Sequence, residues 1–405
     1  MRPSRDTGCD LWQTVSFTKV PMSNPGKESS DKSRDKALGG ASRTPYLSST
    51  SHARATRHLL RPQQLRESMA ISAPPSMRIA LIAAFQVALA VLIALTVTYL
   101  SPRPDLVGFP ALGALAALFG RFHSLPDRRR IVFMAGTLLV LGVFIPSLVS
   151  WLGASRTVMV LMLALVAGGS TIAASAWRLG GPGAVIIVFA AGAALGQAES
   201  LQVLVERTLG TAFGAVVAWI VCAVTDHWRD QSAAGFADAN VPPFRNQVIA
   251  GLRIAVGAAV AALIAHAAGW QHPSWAAIGA TAVMQGTHLH IAMNRALQRM
   301  AGTVLGSLLA WAVLAYDPSF WALMAAIVVF QFVTEIIIGF NYAFVQVTVT
   351  PMALLMTHLA SPSSADMPVE RVLETVLGAV IGILIAVLLS SIDDRVYLLK
   401  RGRGE

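Results

Sequence analysis

Charge is what this chain has least of. Charged residues make up 13% of its 405 positions, about half the share a soluble protein carries, so an ordinary water-facing surface is excluded. Cysteine is almost absent. Cys9 and Cys222 are the two cysteines, too few for a disulfide framework or a metal cluster. Catalytic signatures are missing as well. Gly26-Lys27 is the sole Gly-Lys pair and lacks the rest of a phosphate-binding loop. There is no His-Glu-x-x-His and no Gly-x-Ser-x-Gly. His288-x-His290 reads as a poor metal site, because residues two apart on a helix diverge. The chain is therefore read as a non-enzyme without a cofactor, and any uphill work it does must draw on an ion gradient.

What the chain does have is apolar length. Hydrophobic residues reach 55% and mean hydropathy is +0.61. The apolar residues fall into twelve runs, near 77–100, 106–120, 131–151, 156–177, 182–197, 204–225, 248–269, 273–288, 297–315, 319–339, 342–360 and 371–392. Most approach the ~20 residues that a bilayer core requires. In lipid the backbone must satisfy itself, so runs of this kind are helices. The expected fold is an all-α polytopic membrane protein of about twelve transmembrane helices in two tandem six-helix repeats.

The net charge of +10 does not indicate nucleic acid. Residues 1–76 hold twelve Lys/Arg against six Asp/Glu and so supply +6 of it. That stretch is rich in Ser, Arg, Lys and Pro and reads as a disordered basic tail. The alternative is a start at Met69 or Met77, with the preceding stretch untranslated. The other basic residues gather at the ends of apolar runs. Arg121, Arg128, Arg129, Arg130, Arg229, Arg245, Arg295, Arg299 and the C-terminal Lys400, Arg401 and Arg403 share one side of a twelve-span topology. The opposite loops hold Arg103 and Arg156. By the positive-inside rule both termini are cytoplasmic. The domains follow: a first membrane repeat at 77–225, a short cytoplasmic linker at 226–247, a second repeat at 248–392, and a basic tail at 393–405.

The halves echo each other in order. Met77-Arg-Ile-Ala matches Leu252-Arg-Ile-Ala, Ala111-Leu-Gly113-Ala matches Ala277-Ile-Gly279-Ala, and Met134-Ala-Gly-Thr137 matches Met300-Ala-Gly-Thr303. One motif, polar-Arg-x-x-x-Thr-x-x-Gly, occurs three times, at 206–214, 298–306 and 370–378. Tandem halves of this kind are parallel repeats about an axis along the membrane normal, and the motifs at 298 and 370 start from opposite faces, as nested inverted repeats would.

The segment Leu252–Leu389 resembles the membrane domain of the fusaric acid resistance (FUSC) proteins, also called aromatic acid exporters. The resemblance is carried by Leu252-Arg-Ile-Ala, Pro273-Ser-Trp-Ala-Ala-Ile-Gly279 and the run Arg295 to Gly306. Phe340-Asn-Tyr-Ala343, Thr350-Pro351 and the run Arg371 to Gly378 add to it. It implies a bacterial inner-membrane efflux carrier for small aromatic carboxylic acids, or a passive anion channel of the same fold. Many family members carry a large cytosolic domain between the halves, and the linker here is too short for one. A periplasmic adaptor and a homo-oligomer are compatible with the resemblance, as is a non-transporting membrane scaffold. The expected partners are lipid and a small anion.

Candidate path residues follow from cost and geometry. Glu335 is a carboxylate inside an apolar span, where it must face a cavity or a cation; it is a candidate proton carrier, with a structural ion pair as the alternative. Arg207, Arg299 and Arg371 match a carboxylate in bidentate fashion. Arg299 also reads as a cytoplasmic anchor, and Glu374, three residues after Arg371, as its local partner. Gln285, Gln331, Asn341 and Tyr342 are polar spots able to line a path or to bond between helices. The spans at 106–120 and 273–288 are short and broken by Pro110, Gly113, Pro273 and Gly279. Matched interrupted segments build midplane sites in transporters; equally, such glycines allow close helix packing.

Overall fold

Serines set several helix starts. The hydroxyls of Ser76, Ser155, Ser200 and Ser319 accept hydrogen bonds from the backbone N–H three residues on, satisfying donors that have no partner within the helix. A computed structural model describes residues 76–229, 241–286, 288–360 and 367–390. Residues 1–75 of the expected tail at 1–76, the tail at 393–405 and half of the expected linker at 226–247 lie outside the described residues.

Among these, the chain is all helical. The helices are α1 (Met77–Tyr99), α2 (Gly108–Ala114), α3 (Leu125–Trp151), α4 (Arg156–Ala176), α5 (Ala184–Ala193) and α6 (Leu201–Thr225). The second half supplies α7 (Phe244–Ala267), α8 (Pro273–Met284), α9 (Leu289–Leu314), α10 (Phe320–Ile337), α11 (Tyr342–Ala360) and α12 (Met367–Leu388). Each of the twelve apolar runs overlaps one of them, though α3, α6, α7, α9 and α12 begin three to eight residues before their runs. Nine are long and apolar enough to cross a membrane. The other three fall short of a full span, in keeping with the short runs at 106–120 and 273–288 but not with the run at 182–197. At 1.5 Å per residue, α2, α5 and α8 reach at most about 18 Å, against a hydrocarbon core of ~30 Å. Short 3-10 or extended backbone completes these passes: α2 runs into a 3-10 turn at Leu115–Leu118, then Phe119 is extended and Gly120 takes a φ of +72°. Gly183, just before α5, has a φ of +71°, a left-handed conformation that glycine adopts without steric cost.

The short helices still carry the chain from one end of the bundle to the other. At the end where α1 begins, Phe85 packs on Trp228 just after α6 with ring centroids 5.7 Å apart, and Arg128 near the start of α3 meets Asp226. At the opposite end, Tyr99 stacks on Phe320 with centroids 3.5 Å apart, and Arg156 donates to the Gln271 carbonyl at 3.0 Å. Helix direction therefore alternates from α1 to α12.

Helix packing has an internal rhyme. Within the first half α2 packs on α6, α3 on α6 and α3 on α5; within the second α8 packs on α12, α9 on α12 and α9 on α11. Across the halves, α4 lies against α7 and α10 against α1, so each half inserts a helix into the other. Large apolar side chains such as Leu165, Leu209 and Val224 point outward, the lipid-facing surface such a bundle needs.

Several basic residues sit deeper than the expected loops. Arg128, Arg129 and Arg130 belong to the first turns of α3. Arg128 is fully buried; its guanidinium contacts Asp226, the Gln86 amide oxygen at 2.7 Å and the Cys222 sulfur at 3.5 Å. A buried charge must be paired, and here α1 and α6 supply the partners.

Candidate functional site

The motif arginines end up in different surroundings. Arg207, on α6, donates to the carbonyls of Gly196 at 2.8 Å and Gln197 at 3.0 Å, and its guanidinium lies 5.5 Å from the Phe109 ring centroid. It caps the chain leaving α5. Arg371, the counterpart on α12, lies 4.8 Å from the centroid of Trp275. Phe109 and Trp275 are themselves counterparts, each the second or third residue of a short helix. A cation over an aromatic face is attracted by the ring quadrupole. Arg371 makes no carbonyl contacts of the kind Arg207 makes: it is 2% exposed, and its Nε and Nη1 have no hydrogen-bond partner among the described residues.

The acids before these arginines also take matched roles. Glu206 pairs with Arg103 in the α1–α2 loop, and Glu370 pairs with His272 in the α7–α8 loop at 3.2 Å. Burial pushes the His272 imidazole below its ordinary pKa, against the hydrogen bond its ring makes to the Glu370 carboxylate. Glu374 is fully buried. One of its oxygens accepts from the His272 backbone N–H at 3.2 Å, and the other has no partner among the described residues. The expected local pair between Arg371 and Glu374 is not formed. They interact electrostatically, but Arg371 leans on Trp275 while Glu374 turns to the loop.

Arg299 is not a loop anchor. It is the eleventh residue of α9, 2% exposed. Its Nη1 donates to the Tyr342 hydroxyl at 3.1 Å, while its Nε has no partner among the described residues. Arg371 interacts electrostatically with Arg299, which reaches Tyr342 at the start of α11, so α9, α11 and α12 bring two motif arginines to one interior region. Nearby, the hydroxyls of Thr303 and Thr375 are buried without partners.

Glu335 lies elsewhere. It is 2% exposed on α10 and forms an ion pair with Arg121 from the α2–α3 loop, which also donates to the Glu335 carbonyl at 3.0 Å. The Arg121 carbonyl in turn accepts from Arg229, whose pKa burial lowers to about 10. Glu335 thus joins the two halves.

The remaining candidates divide. Gln331 is buried with an unpartnered side-chain oxygen, and Asn341 accepts from the Ala343 N–H at 2.7 Å, closing the turn into α11. Gln285 sits against Gly183 at the start of α5. Pro110, Gly113, Pro273 and Gly279 are buried in packing. A Cβ on Gly214 would stand 1.8 Å from the Pro110 carbonyl oxygen, and one on Gly378 2.2 Å from that of Ala276. Gly279 meets Gly378 directly. The glycines of the short helices therefore serve close backbone contact. His288 is the N-cap of α9, off the helix, so its ring stacks on that of His290 at 5.8 Å and does not diverge.

Residues 260–385 match the family described as fusaric acid resistance protein-like. The match spans α8 to most of α12 and includes Trp275, Arg299, Glu335, Arg371 and Glu374. A Bacillus subtilis (strain 168) protein described as "uncharacterized membrane protein YvaC" is 34% identical over 110 residues. That alignment covers 27% of this chain and 17% of the relative's length. No solved structure matches the chain. The nine long apolar helices among the described residues, with the similarity to these membrane proteins, make this a multi-pass membrane protein.

Proposed function

We propose that this protein is a transporter that exports small organic anions, aromatic and other carboxylic acids, across the bacterial inner membrane, driven by proton entry. The observation that carries the reading is the pair Arg299 and Arg371. Both are buried in helices of the segment that matches the family, both keep open N–H donors among the described residues, and Glu374 acts electrostatically on Arg371. Buried arginines facing a cavity mark anion paths in membranes, and guanidinium N–H pairs match a carboxylate. A duplicated architecture is supported by the repeated cation-over-aromatic contacts and by the matching α2–α6 and α8–α12 packing. Cytoplasmic termini are supported by the gathering of Arg121, Arg128, Arg129 and Arg229 at the end where α1 begins.

Glu335 is the proposed proton site. In its charged form it holds Arg121; protonation would neutralise it and release Arg121, loosening the contact between α10 and the first half. A proton thereby acts on the packing that must change for access to alternate.

The test uses proteoliposomes loaded with benzoate under an imposed proton gradient, comparing the parent with Glu335→Gln. Gradient-driven movement that the variant loses is expected. Flux that ignores the gradient would replace the carrier with a passive anion channel. Absence of flux for every carboxylate tried would leave a membrane scaffold.

A further inference from the structure

Each half resumes its helical course at a proline after a loop at the same end of the bundle. Arg103 precedes Pro104 and His272 precedes Pro273. Their backbones agree, with φ −127° and ψ 64° at Arg103 and φ −122° and ψ 59° at His272. Each side chain reaches the glutamate beside a motif arginine, Glu206 for Arg103 and Glu370 for His272. The same clasp is built twice, with one difference. A guanidinium stays charged at any physiological pH, whereas an imidazole changes charge between about pH 5 and 8.

His272 holds more than one glutamate. It is the N-cap of α8, and its ring stacks on Trp275 with centroids 4.3 Å apart and planes 9° from parallel. Its backbone N–H donates to Glu374 at 3.2 Å. One residue therefore ties the α7–α8 loop and the start of α8 to the early turns of α12. The ring is 31% exposed, so water can bring it a proton. Its Nδ1–H donates to the Glu370 carboxylate, and the incoming proton goes to Nε2. The charged and titratable groups around it are Glu370, Arg371 and Glu374 from α12 and Arg156 from α4, which donates to the neighbouring Gln271 carbonyl. His266, at the end of α7, turns instead to Thr157. Burial opposes a charge on the His272 ring, as do Arg371 and Arg156; Glu370 favours it, and the balance lies below the ordinary imidazole pKa. A proton thus prefers any form of the loop in which the ring stands in water. We propose that His272 is a pH-released clasp, whose protonation frees the α7–α8 loop and the start of α8 from α12 while the Arg103–Glu206 clasp of the first half stays shut. The device stands whether or not the protein transports; only the side of the membrane that it samples rests on the proposed topology.

The test is hydrogen–deuterium exchange of the full chain in lipid nanodiscs at pH 7.5 and pH 5.5, with labelling times scaled for the intrinsic pH dependence of amide exchange. A peptide covering 268–275 is the readout, and one covering 100–109 is the internal reference. An open loop that binds protons at the ordinary pKa of ~6.5 gains at most about tenfold in population at the lower pH. A several-fold loss of protection is expected at 268–275, with none at 100–109. His272→Gln should exchange alike at both pH values. His272→Arg rebuilds the first-half contact and should also be flat, which keeps the test decisive if the glutamine variant loosens the loop by itself. His266→Gln and Glu374→Gln should keep the pH step. No step in the parent, an equal step in both loops, a step that survives His272→Gln and His272→Arg, or one that vanishes in Glu374→Gln or His266→Gln would overturn the proposal.

Discussion

Replacing Gly214 by alanine should be among the most damaging single-methyl changes in the molecule. The added Cβ would stand 1.8 Å from the Pro110 carbonyl oxygen, where real Cβ atoms stay beyond 3.0 Å. The obstacle is backbone in a buried helix, so it has no rotamer to escape into. Either α2 or α6 must move by about an ångström. Their partner contact at Gly113, where a Cβ would lie 1.9 Å from the Thr211 carbonyl, then opens as well. Overpacking of this kind costs about 1–3 kcal/mol, and a rigid backbone obstacle belongs at the upper end. In domains of 150–250 residues each kcal/mol moves Tm by roughly 2–4 °C, so a fall of roughly 5–10 °C is expected for the purified protein in detergent. Gly169→Ala is the matched control. That position is helical with nothing within 4 Å of a built Cβ, and alanine there gains about 0.5–1 kcal/mol of helix preference. If Gly214→Ala melts within about 2 °C of Gly169→Ala, α2 and α6 are not in backbone contact and the packing of the short helices is wrong.

Other outcomes follow from the polar contacts. Glu335→Gln and Arg121→Gln should each destabilise by about 3–5 kcal/mol, since each strands a buried partner; the double variant should cost much less than their sum, and strict additivity in a thermal-shift cycle would refute the pair. Burial depresses the pKa of both His123 and His272. Such groups bind protons more readily in the unfolded chain, so the stability they contribute is present above the ordinary histidine pKa of ~6.5. It is lost as pH falls below that value. A melting temperature that drops between pH 7 and pH 5, with a smaller drop in His123→Gln/His272→Gln, is expected. An equal drop in the variant would assign the acid sensitivity elsewhere.

Hydropathy and periodicity made the helices legible. Each of the twelve runs overlaps a helix, and several starts fall within a residue or two, because serine caps and Pro273 announce themselves locally. What composition could not show was whether an apolar run remains helical to its end. The run at 182–197 yields a ten-residue helix because Gly183 and the stretch after Ala193 leave helical geometry. Among the site residues, Arg299, Arg371 and Glu335 stood out as charges in apolar sequence. Their partners did not. Arg121 lies 214 residues from Glu335 and looked like one more loop arginine. Trp275 and Phe109 looked like ordinary apolar residues, although their positions in matched short segments, upstream of matched Glu-Arg pairs, were a usable signal. Arg128 resembled an anchor at the membrane surface because nothing local reveals that Gln86 and Asp226 wait for it in the folded chain.

Because α10 lies on α1 and α4 lies on α7, the two halves are knitted together rather than set side by side. Swinging one half rigidly against the other would peel both inserted helices from their seats and expose two apolar interfaces at once. If Glu335 takes up the proton as proposed, the α10 seat alone loosens while the α4–α7 seam stays closed. A change of access would then work one seam at a time.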